Sequence, residues 1–322
     1  MAKVTSSAVS VILPVLNEEN YLEAAVNAVL MQNFSGLIEV VLAVGPSKDH
    51  TLEIANKLAA ADSRIKVVSN PTGRTAAGLN LAIQNSSYPI IVRVDGHAKI
   101  PKNYISIAVE LLEKTGAVNV GGVMAAEGEN SFERAVAGAM RSPLGVGAAK
   151  FHTGGNAGEA DTVYLGVFKR SAIDAIGGFD EHFTRAQDWE LNFRLRKNGG
   201  TIYFDPRLTV TYRPRKSLMA LAKQYFEYGR WRRVVARTHK GTINLRYLAP
   251  PFTLVGTATS LIGGFLNPIL FIPAGIYGTF LILASLKIGK TPIERFYLPA
   301  ILLTMHMSWG AGFITSTRRF VR

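Results

Sequence analysis

The sequence predicts an α/β fold with a mostly parallel central sheet flanked by helices, followed by a C-terminal α-helical membrane region. The first prediction comes from strand-like and helix-like segments that alternate along residues 8–206. The second comes from long apolar segments without Lys, Arg, Asp or Glu, which occur only near the end of the chain. A strongly basic segment separates the two regions.

The alternating segments are short and follow one another in a regular order. Residues 8–13 are apolar and rich in β-branched side chains, as in a buried strand, and residues 17–32 have helical spacing of apolar positions. The pattern continues with strands at 38–44 and 65–69, helices at 51–60 and 75–84, and a strand that ends at Asp95.

The turns that follow the predicted strands are expected to gather at one edge of the sheet. Ligands of open α/β sheets bind at the carboxyl ends of the strands. No GxGxxG follows the first strand and no GxxxxGK[ST] occurs anywhere, so the dinucleotide fingerprint and the P-loop are excluded. The gathered turns are 14–17, 45–49, 70–74 and 95–97.

Composition indicates an anionic partner together with a membrane. The 322 residues have a formal net charge of +13 and no cysteine, which excludes disulfides and thiolate metal sites. The mean hydropathy of +0.16 is high for a soluble protein. Nucleic acid would explain the charge alone, but no nucleic-acid-binding motif is present, so we predict no nucleic-acid partner.

Three apolar segments follow a basic one. Residues 207–240 contain ten Lys or Arg and a single acid, Glu227. Each apolar segment has eighteen or nineteen residues, close to the ~20 that span a bilayer. The first, with Pro250-Pro251 near its start, is the candidate for a re-entrant or interfacial segment. The segments are 248–265, 268–286 and 297–315.

Three regions are therefore predicted, namely a catalytic domain over 1–206, basic amphipathic interfacial helices over 207–246, and membrane helices over 247–322. The apolar stretch 9–16 is short, is broken by Ser10 and Pro14, and has only Lys3 as a basic leader, so no signal peptide is expected. Basic residues beside the first apolar segment favour a cytoplasmic catalytic domain. A basic connection at 287–295 and a basic C-terminal tail, which includes Arg319 and Arg322, are separated by one apolar segment. Both can be cytoplasmic only if one apolar segment is re-entrant or interfacial.

Four segments occur along the chain in the order VSVILPVLNEENYLEAAVNAVLMQ, NPTGRTAAGLNLAI, VRVDGHAKIP and GGFDEHFTRAQDWELNFRLRKNG. Together they resemble glycosyltransferase family 2, and the likeness covers about residues 8 to 240. Among its members, the chain is most similar to the succinoglycan-type exopolysaccharide glycosyltransferases, which also have a C-terminal membrane region. The resemblance implies a GT-A fold and inverting hexosyl transfer from a nucleotide-diphosphate sugar of the UDP type. It also implies a polyprenyl-(di)phosphate-linked or other lipid acceptor and a location at the inner or plasma membrane.

The resemblance implies a divalent metal, Mn²⁺ or Mg²⁺, at a strand-end Asp-x-Asp. Here the motif is Asp95-Gly96-His97, so an imidazole replaces the second carboxylate. In an extended chain, residues i and i+2 project to the same side, which would direct Asp95 and His97 towards one ligand. A strand-end cap remains the alternative for Asp95, and a hydrogen bond to the diphosphate remains the alternative for His97.

The resemblance also implies the general base for the acceptor hydroxyl. The family has a Glu-Asp pair at a helix start, and the matching residues here are Gln187 and Asp188. Asp188 is therefore the predicted base. The alternative is a helix-start carboxylate that interacts only with the helix dipole.

Donor and acceptor contacts are predicted in the same way. The positions that match donor-binding residues are Pro14, Asn17, Glu18, Asp49, Arg74 and Asp95. The family's Asp-Asp-Gly-Ser turn is replaced by Gly45-Pro46-Ser47-Lys48-Asp49, and a solvated surface Arg is the alternative for Arg74.

A segment in the basic region resembles the Gln-x-x-Arg-Trp box of polysaccharide synthases, but with a longer gap. It predicts that Gln224, Arg230 and Trp231 contact the acceptor or a diphosphate. An interfacial amphipathic helix explains the same residues. The second hypothesis for the whole chain is a GT-A-like scaffold or binding subunit of a polysaccharide assembly, because the expected motifs are altered at 45–49, His97 and Gln187.

Overall fold

The computed structural model describes residues 8–318, so Lys3, Arg319 and Arg322 of the sequence predictions lie outside the described residues. The chain divides into two compact units. The first comprises residues 8–125 and Gly154–Tyr212, and the second comprises Ala126–Thr153 and residues 213–318.

An eight-stranded mixed sheet forms the centre of the first unit, in the order β3-β2-β1-β4-β7-β5-β8-β6. Strands β3, β2, β1 and β4 pair in parallel, with Val11 of β1 opposite both Val40 and Val92. The β4–β7, β5–β7 and β6–β8 pairs are antiparallel. The strands are β1 (Ala8–Val15), β2 (Leu37–Val44), β3 (Ile65–Ser69), β4 (Ile90–Arg93), β5 (Asn119–Ala126), β6 (Gly158–Glu159), β7 (Tyr164–Lys169) and β8 (Ile202–Tyr212).

Apolar side chains cover both faces of the sheet, as expected of strands with helices on either side. Val11 and Leu13 of β1 belong to one buried cluster, and Ile12 belongs to the other. This alternation follows the two-residue period of a strand. The helices of this unit are α1 (Leu22–Leu30), α2 (Thr51–Ala61), α3 (Thr75–Gln84), α4 (Tyr104–Thr115), α8 (Arg170–Ala175) and α9 (Gln187–Lys197). The predicted α/β fold class is confirmed.

Apart from Ala126 at the end of β5, the regular secondary structure of the described part of the second unit is helical. Its helices are α5 (Ser131–Met140), α6 (Pro143–Val146), α7 (Lys150–Thr153), α10 (Leu218–Thr238), α11 (Leu245–Gly264), α12 (Ile272–Ile288) and α13 (Pro292–Thr315), with a 3₁₀ turn at Pro268–Phe271. Helices α10 and α13 cross closely, because a Cβ added at Gly229 would lie 1.9 Å from the Trp309 carbonyl oxygen. A Cβ added at Gly312 would lie 1.9 Å from the Phe226 carbonyl oxygen. Small residues thus let the two backbones touch.

Two helical segments of the described chain are long and apolar enough to cross a membrane, namely Pro268–Ile288 and Pro292–Thr315. Only 17% of the most apolar window of the first is buried, so it is not a core helix of its own unit. The predicted apolar segment 248–265 lies mostly in α11, which contains Pro250 and Pro251 and is outside this pair.

Candidate active site at the carboxyl edge of the sheet

The loops after β1 and β2 are joined by reciprocal hydrogen bonds. The Asn17 backbone N–H donates to Ser47 Oγ at 3.1 Å, and the Lys48 N–H donates to Asn17 Oδ1 at 2.8 Å. Asn17 has a φ of 57°, in the left-handed region that Asn tolerates better than most residues. Two predicted donor-binding turns therefore do meet at one edge of the sheet.

Asp49 closes the same junction. Its Oδ2 accepts from the Glu19 N–H at 3.1 Å, and its Oδ1 accepts from the N–H and the hydroxyl of Thr51 at 3.1 and 2.6 Å. Desolvation acts to raise the pKa of Asp49, but these hydrogen bonds outweigh it and lower the pKa. Both carboxylate oxygens thus have partners within the loops, and recognition of the base by Asp49 stays a prediction.

Pro14 and Arg74 lie at neighbouring places on this edge. Pro14 is the penultimate residue of β1 and is opposite Ala43 of β2. Arg74 is exposed and immediately precedes α3, where its carbonyl accepts a hydrogen bond from Asn70 Nδ2 at 3.1 Å. The structure therefore leaves the Arg74 side chain accessible to a ligand or to solvent alone.

Asp95, Gly96 and His97 form a turn instead of an extended segment. The Ala98 N–H donates to the Asp95 carbonyl at 2.9 Å, so the backbone forms the predicted turn at 95–97, and the two-residue period of an extended chain does not set the directions of the Asp95 and His97 side chains. A Cβ at Gly96 would lie 2.9 Å from Val15 Cγ1 and 3.0 Å from Glu18 Cγ, which explains the glycine. The turn instead places His97 Nδ1 2.7 Å from Glu18 Oε1.

Arg93 joins the two carboxylates to which the strongest roles were predicted. It is the last residue of β4 and only 4% exposed. Its Nε and Nη2 donate to Asp95 Oδ1 at 3.2 and 3.0 Å, and its Nη1 donates to Asp188 Oδ1. Asp95 and Asp188, 93 positions apart in the sequence, are thus held by one guanidinium.

Asp188 lies in the first turn of α9, after Ala186, which has a φ of 61°. About a third of its side chain is exposed (35%), so it is accessible while ion-paired. Burial raises the pKa of Asp188 above its ordinary value. Arg93 opposes this shift by its charge, and the nearby carboxylate of Asp95 adds to it.

Tyr104 lies beside the same group. It is the first residue of α4 and is fully buried, and its hydroxyl has no hydrogen-bond partner among the described residues. Burial raises the pKa of Tyr104, while the Arg93 charge lowers it and the Asp95 charge raises it further. A buried hydroxyl without a hydrogen-bond partner costs folding free energy. The Tyr104 hydroxyl could therefore gain a partner if a ligand bound or a neighbouring side chain moved.

Arg93 and Tyr104 were not among the site residues predicted from the sequence. A signal for Arg93 was available, because a buried strand that reads Ile-Ile-Val-Arg-Val contains one cation. A charge inside an apolar strand requires a buried counter-charge. The identity of that partner, Asp188, was not readable from the strand itself.

The residues at this edge fit a divalent cation that is shared with a diphosphate. Within residues 8–318, no group of three His, Cys, Asp or Glu side chains could enclose a metal ion. Asp95 and His97 nevertheless offer a carboxylate and an imidazole, and Glu18 supplies the carboxylate partner typical of metal-binding histidines. Mg²⁺ commonly uses one or two carboxylates together with substrate phosphates, so these donors are chemically compatible with such a cation, and its binding here stays a prediction.

The predicted acceptor residues all lie on α10 of the second unit. Gln224 is buried, and its Nε2 donates to the Tyr228 hydroxyl at 2.7 Å. Arg230 donates to Glu227 Oε1 at 2.8 Å, and its guanidinium lies 4.7 Å from the Phe226 ring centroid. Trp231 is only 5% exposed. A role in acceptor binding stays a prediction for these three residues.

Comparison with known proteins identifies the family to which the chain belongs. The family model described as "Glycosyl transferase family 2" matches residues 10–177, which is more than half of the chain. The chain is also 31% identical over 320 residues to the succinoglycan biosynthesis protein ExoA of Rhizobium meliloti (strain 1021), covering 97% of this chain and 95% of that protein. The chain therefore belongs to glycosyltransferase family 2.

One further relative and one solved structure of similar fold extend the comparison. One, from Methanococcus voltae, is the dolichyl N-acetyl-alpha-D-glucosaminyl phosphate 3-beta-D-2,3-diacetamido-2,3-dideoxy-beta-D-glucuronosyltransferase, 25% identical over 316 residues and 95% of each chain. The other is the solved structure of the mannosyltransferase PcManGT from Pyrobaculum calidifontis in complex with GDP-Man and Mn²⁺. It has a TM-score of 0.61 at 17% identity and covers 96% of this chain and 86% of that chain. This structural likeness confirms the GT-A-like fold.

Proposed function

We propose that this glycosyltransferase inverts the anomeric configuration, requires a divalent metal, and transfers a hexose from a nucleoside-diphosphate sugar, of the UDP type, to a lipid-linked acceptor in polysaccharide synthesis. Asp188 is the proposed base, and Asp95 with His97 forms the metal and diphosphate side. The observation that carries the proposal is the convergence of Asp95 and Asp188 on one buried guanidinium at the edge where α/β sheets bind ligands.

The proposed reaction assigns one task to each carboxylate. Asp188 accepts the proton of the acceptor hydroxyl while that oxygen forms a bond to the anomeric carbon. The bond from this carbon to the diphosphate breaks on the opposite side, and its electron pair leaves with the nucleoside diphosphate. A carboxylate whose pKa is raised by burial is a stronger base than an ordinary Asp, and partial exposure lets a hydroxyl reach it.

The donor side must offset the negative charge that grows on the departing diphosphate. A divalent cation, when bound, supplies that compensation as a Lewis acid. Asp95 and His97 would hold it, and Glu18 would orient the imidazole. The mannosyltransferase with the similar fold was solved with Mn²⁺, which supports the choice of Mn²⁺ or Mg²⁺ here.

The charge distribution supports a lipid-linked acceptor and a location at the cytoplasmic face of the cell membrane. The residues that form the second unit, Ala126–Thr153 and 213–322, contain 19 Lys or Arg and 5 Asp or Glu. The rest of the chain contains 17 Lys or Arg and 18 Asp or Glu, so the net positive charge belongs wholly to the unit with the apolar helices. Cationic surfaces next to apolar helices favour anionic lipid. The name of the Methanococcus relative specifies a dolichyl phosphate-linked substrate, which supports the same acceptor class.

The decisive experiment combines the purified full-length protein in detergent with a panel of nucleotide sugars, Mn²⁺, and polyprenyl-phosphate-linked acceptors. We expect transfer from one donor, with the anomeric configuration of the product, read by NMR, inverted relative to the donor. Retention of configuration would refute the single-base mechanism. The absence of both transfer and donor hydrolysis across the panel would favour the scaffold hypothesis, which the altered motifs at His97 and Gln187 support.

A further inference from the structure

We infer that Arg93 is a positioning residue that holds the base Asp188 and the donor-side Asp95 in one arrangement and lowers the intrinsic affinity of the site for a free cation. The inference rests on the proposed function, because the two carboxylates are assigned their roles there. It adds to that function a dependence of sugar transfer on Arg93, which acts through the two carboxylates that it contacts.

The contacts of Arg93 engage both carboxylates at once. Its Nη1 faces Asp188, and its Nε and Nη2 share Asp95 Oδ1 at 3.2 and 3.0 Å. The planar guanidinium offers several donors in fixed directions, which lets one side chain set the relative position of two acids. A lysine at this position would keep the charge but would lose that fixed geometry.

Arg93 is better anchored than the base that it contacts. Its backbone belongs to β4, opposite Ile12 of β1 in the parallel part of the sheet, and its side chain is 5% exposed. Asp188 is on the first turn of a helix that follows a left-handed residue, Ala186. The contact with Arg93 Nη1 thus ties the Asp188 side chain to the sheet.

The same contact has an electrostatic consequence. Removal of Arg93 would leave two nearby carboxylates without their buried counter-charge. Two unbalanced negative charges attract a divalent cation more strongly. A variant that lacks this guanidinium should therefore bind a free cation more tightly while it transfers sugar more slowly, a combination that a general loss of structure would not produce.

Arg170, the first residue of α8, provides a matched control near the start of β4, where its backbone N–H donates to the Pro89 carbonyl at 2.8 Å. It is partly buried, and it donates from Nε to the Tyr88 carbonyl at 2.7 Å and from Nη1 to the Ile83 carbonyl at 3.0 Å. Its Nη2 donates to Ser86 Oγ at 2.6 Å. Arg170→Gln thus removes a comparable set of hydrogen bonds without touching either carboxylate.

The test compares Arg93→Gln, Arg93→Lys, Arg93→Ala and Arg170→Gln in the full-length protein. For the Arg93 variants, we expect kcat to fall about 100-fold with little change in donor KM, as for a misplaced reacting group. Mn²⁺ affinity of the donor-free protein, measured by electron paramagnetic resonance, should rise at least about tenfold in Arg93→Gln and Arg93→Ala. Added guanidinium should partly restore the kcat of Arg93→Ala. Arg170→Gln should be destabilised in thermal unfolding, but its kcat should stay near that of the wild type.

Three outcomes would overturn the inference. One is an Arg93→Gln kcat equal to that of Arg170→Gln, and another is an Arg93→Ala variant that guanidinium does not restore. The third outcome applies if Arg93→Gln and Arg93→Ala do not fold. A folded Arg93→Lys protein with wild-type kcat would then show that the planar guanidinium is not needed. Failure of the proposed function is distinguishable, since Asp188→Asn would then be active, whereas failure of this inference leaves Asp188→Asn inactive and Arg93→Gln active.

Discussion

Glu18 Oε1 lies 2.7 Å from His97 Nδ1, across 79 residues of sequence. This pair links the loop after β1 to the turn after β4, and Glu18 is the less exposed partner, at 16% against 40%. A carboxylate on one ring nitrogen sets the tautomer and raises the basicity of the other. The imidazole that replaces the family's second carboxylate is thus itself supported by a carboxylate.

Loss of either partner should weaken metal binding. We expect His97→Ala and Glu18→Gln to reduce Mn²⁺ affinity roughly 10- to 100-fold, as is usual for metal ligands and their supporting groups. Titration calorimetry with the donor-free and donor-loaded protein measures this. Glu53→Gln is the control, since Glu53 is exposed and contacts only His50 among the interactions described for it. Unchanged affinity in both site variants would exclude His97 as a ligand.

Substitution of the proposed base should abolish transfer and spare donor binding. Asp188→Asn keeps the shape of the side chain but removes the proton acceptor, so we expect kcat to fall by about 10²–10⁴-fold. Radiolabelled transfer assays and donor titration measure the two quantities separately. Asp62→Asn, at an ion pair with Arg64 on the surface, should leave both unchanged. A substantially active Asp188→Asn enzyme would assign the base elsewhere.

The pH dependence of transfer should show the environment of Asp188. Burial raises its pKa, and only the ionised form accepts a proton. Activity is therefore expected to be full above the raised pKa and to be lost as the pH falls through it, at a higher pH than for an ordinary Asp. The measurement is kcat/KM against pH at constant ionic strength. An acid limb at or below the ordinary Asp value of 3.8 would contradict this assignment.

Glu39, near the start of β2 and away from the candidate site, should contribute to the stability of the fold. Its Oε1 accepts from the Ser10 hydroxyl at 2.6 Å and from the Ser87 N–H, and Lys66 contacts Oε2 at 3.0 Å. Desolvation acts to raise the pKa of Glu39, but these partners lower it below 4.5. Glu39→Gln should therefore lower the free energy of unfolding by about 1–3 kcal/mol near neutral pH.

The pH dependence of that loss has a defined sign. Because the folded pKa of Glu39 is lowered, its contribution is present above the unfolded value and disappears as the pH falls below 4.5 through the folded pKa. Denaturant unfolding of wild type and Glu39→Gln should converge in acid, while Glu23→Gln on the exposed side of α1 should match wild type throughout. A constant difference at all pH values would show that packing, and not ionisation, is responsible.

The second unit should remain in membranes under conditions that remove peripheral proteins. Pro268–Ile288 and Pro292–Thr315 are long and apolar enough to span a bilayer. We expect the protein to resist both high salt and alkaline carbonate and to be released only by detergent. Release by salt would indicate attachment through exposed cations such as Lys216, Lys223 and Lys240, and release by carbonate would exclude a span.

Much of the fold was predictable because its signals are local. The strands at 38–44 and 65–69 and the helix at 75–84 were predicted within a residue of their observed bounds, because each is marked by its own apolar period and turn residues. The packing of Gly96 against Val15 and Glu18 was not predicted, because those two residues lie about 80 positions away in the sequence. Local pattern does not report such a contact.

The sequence by itself determined the alternation of strands and helices, the family, and the separation of basic and apolar residues from the catalytic part. These properties depend on residues a few positions apart or on composition. Only the tertiary structure decided that Arg93 lies between Asp95 and Asp188 and that Glu18 meets His97. Strand order and register place side chains from distant segments within hydrogen-bond distance. Neither can be predicted from the periodicity of a single segment.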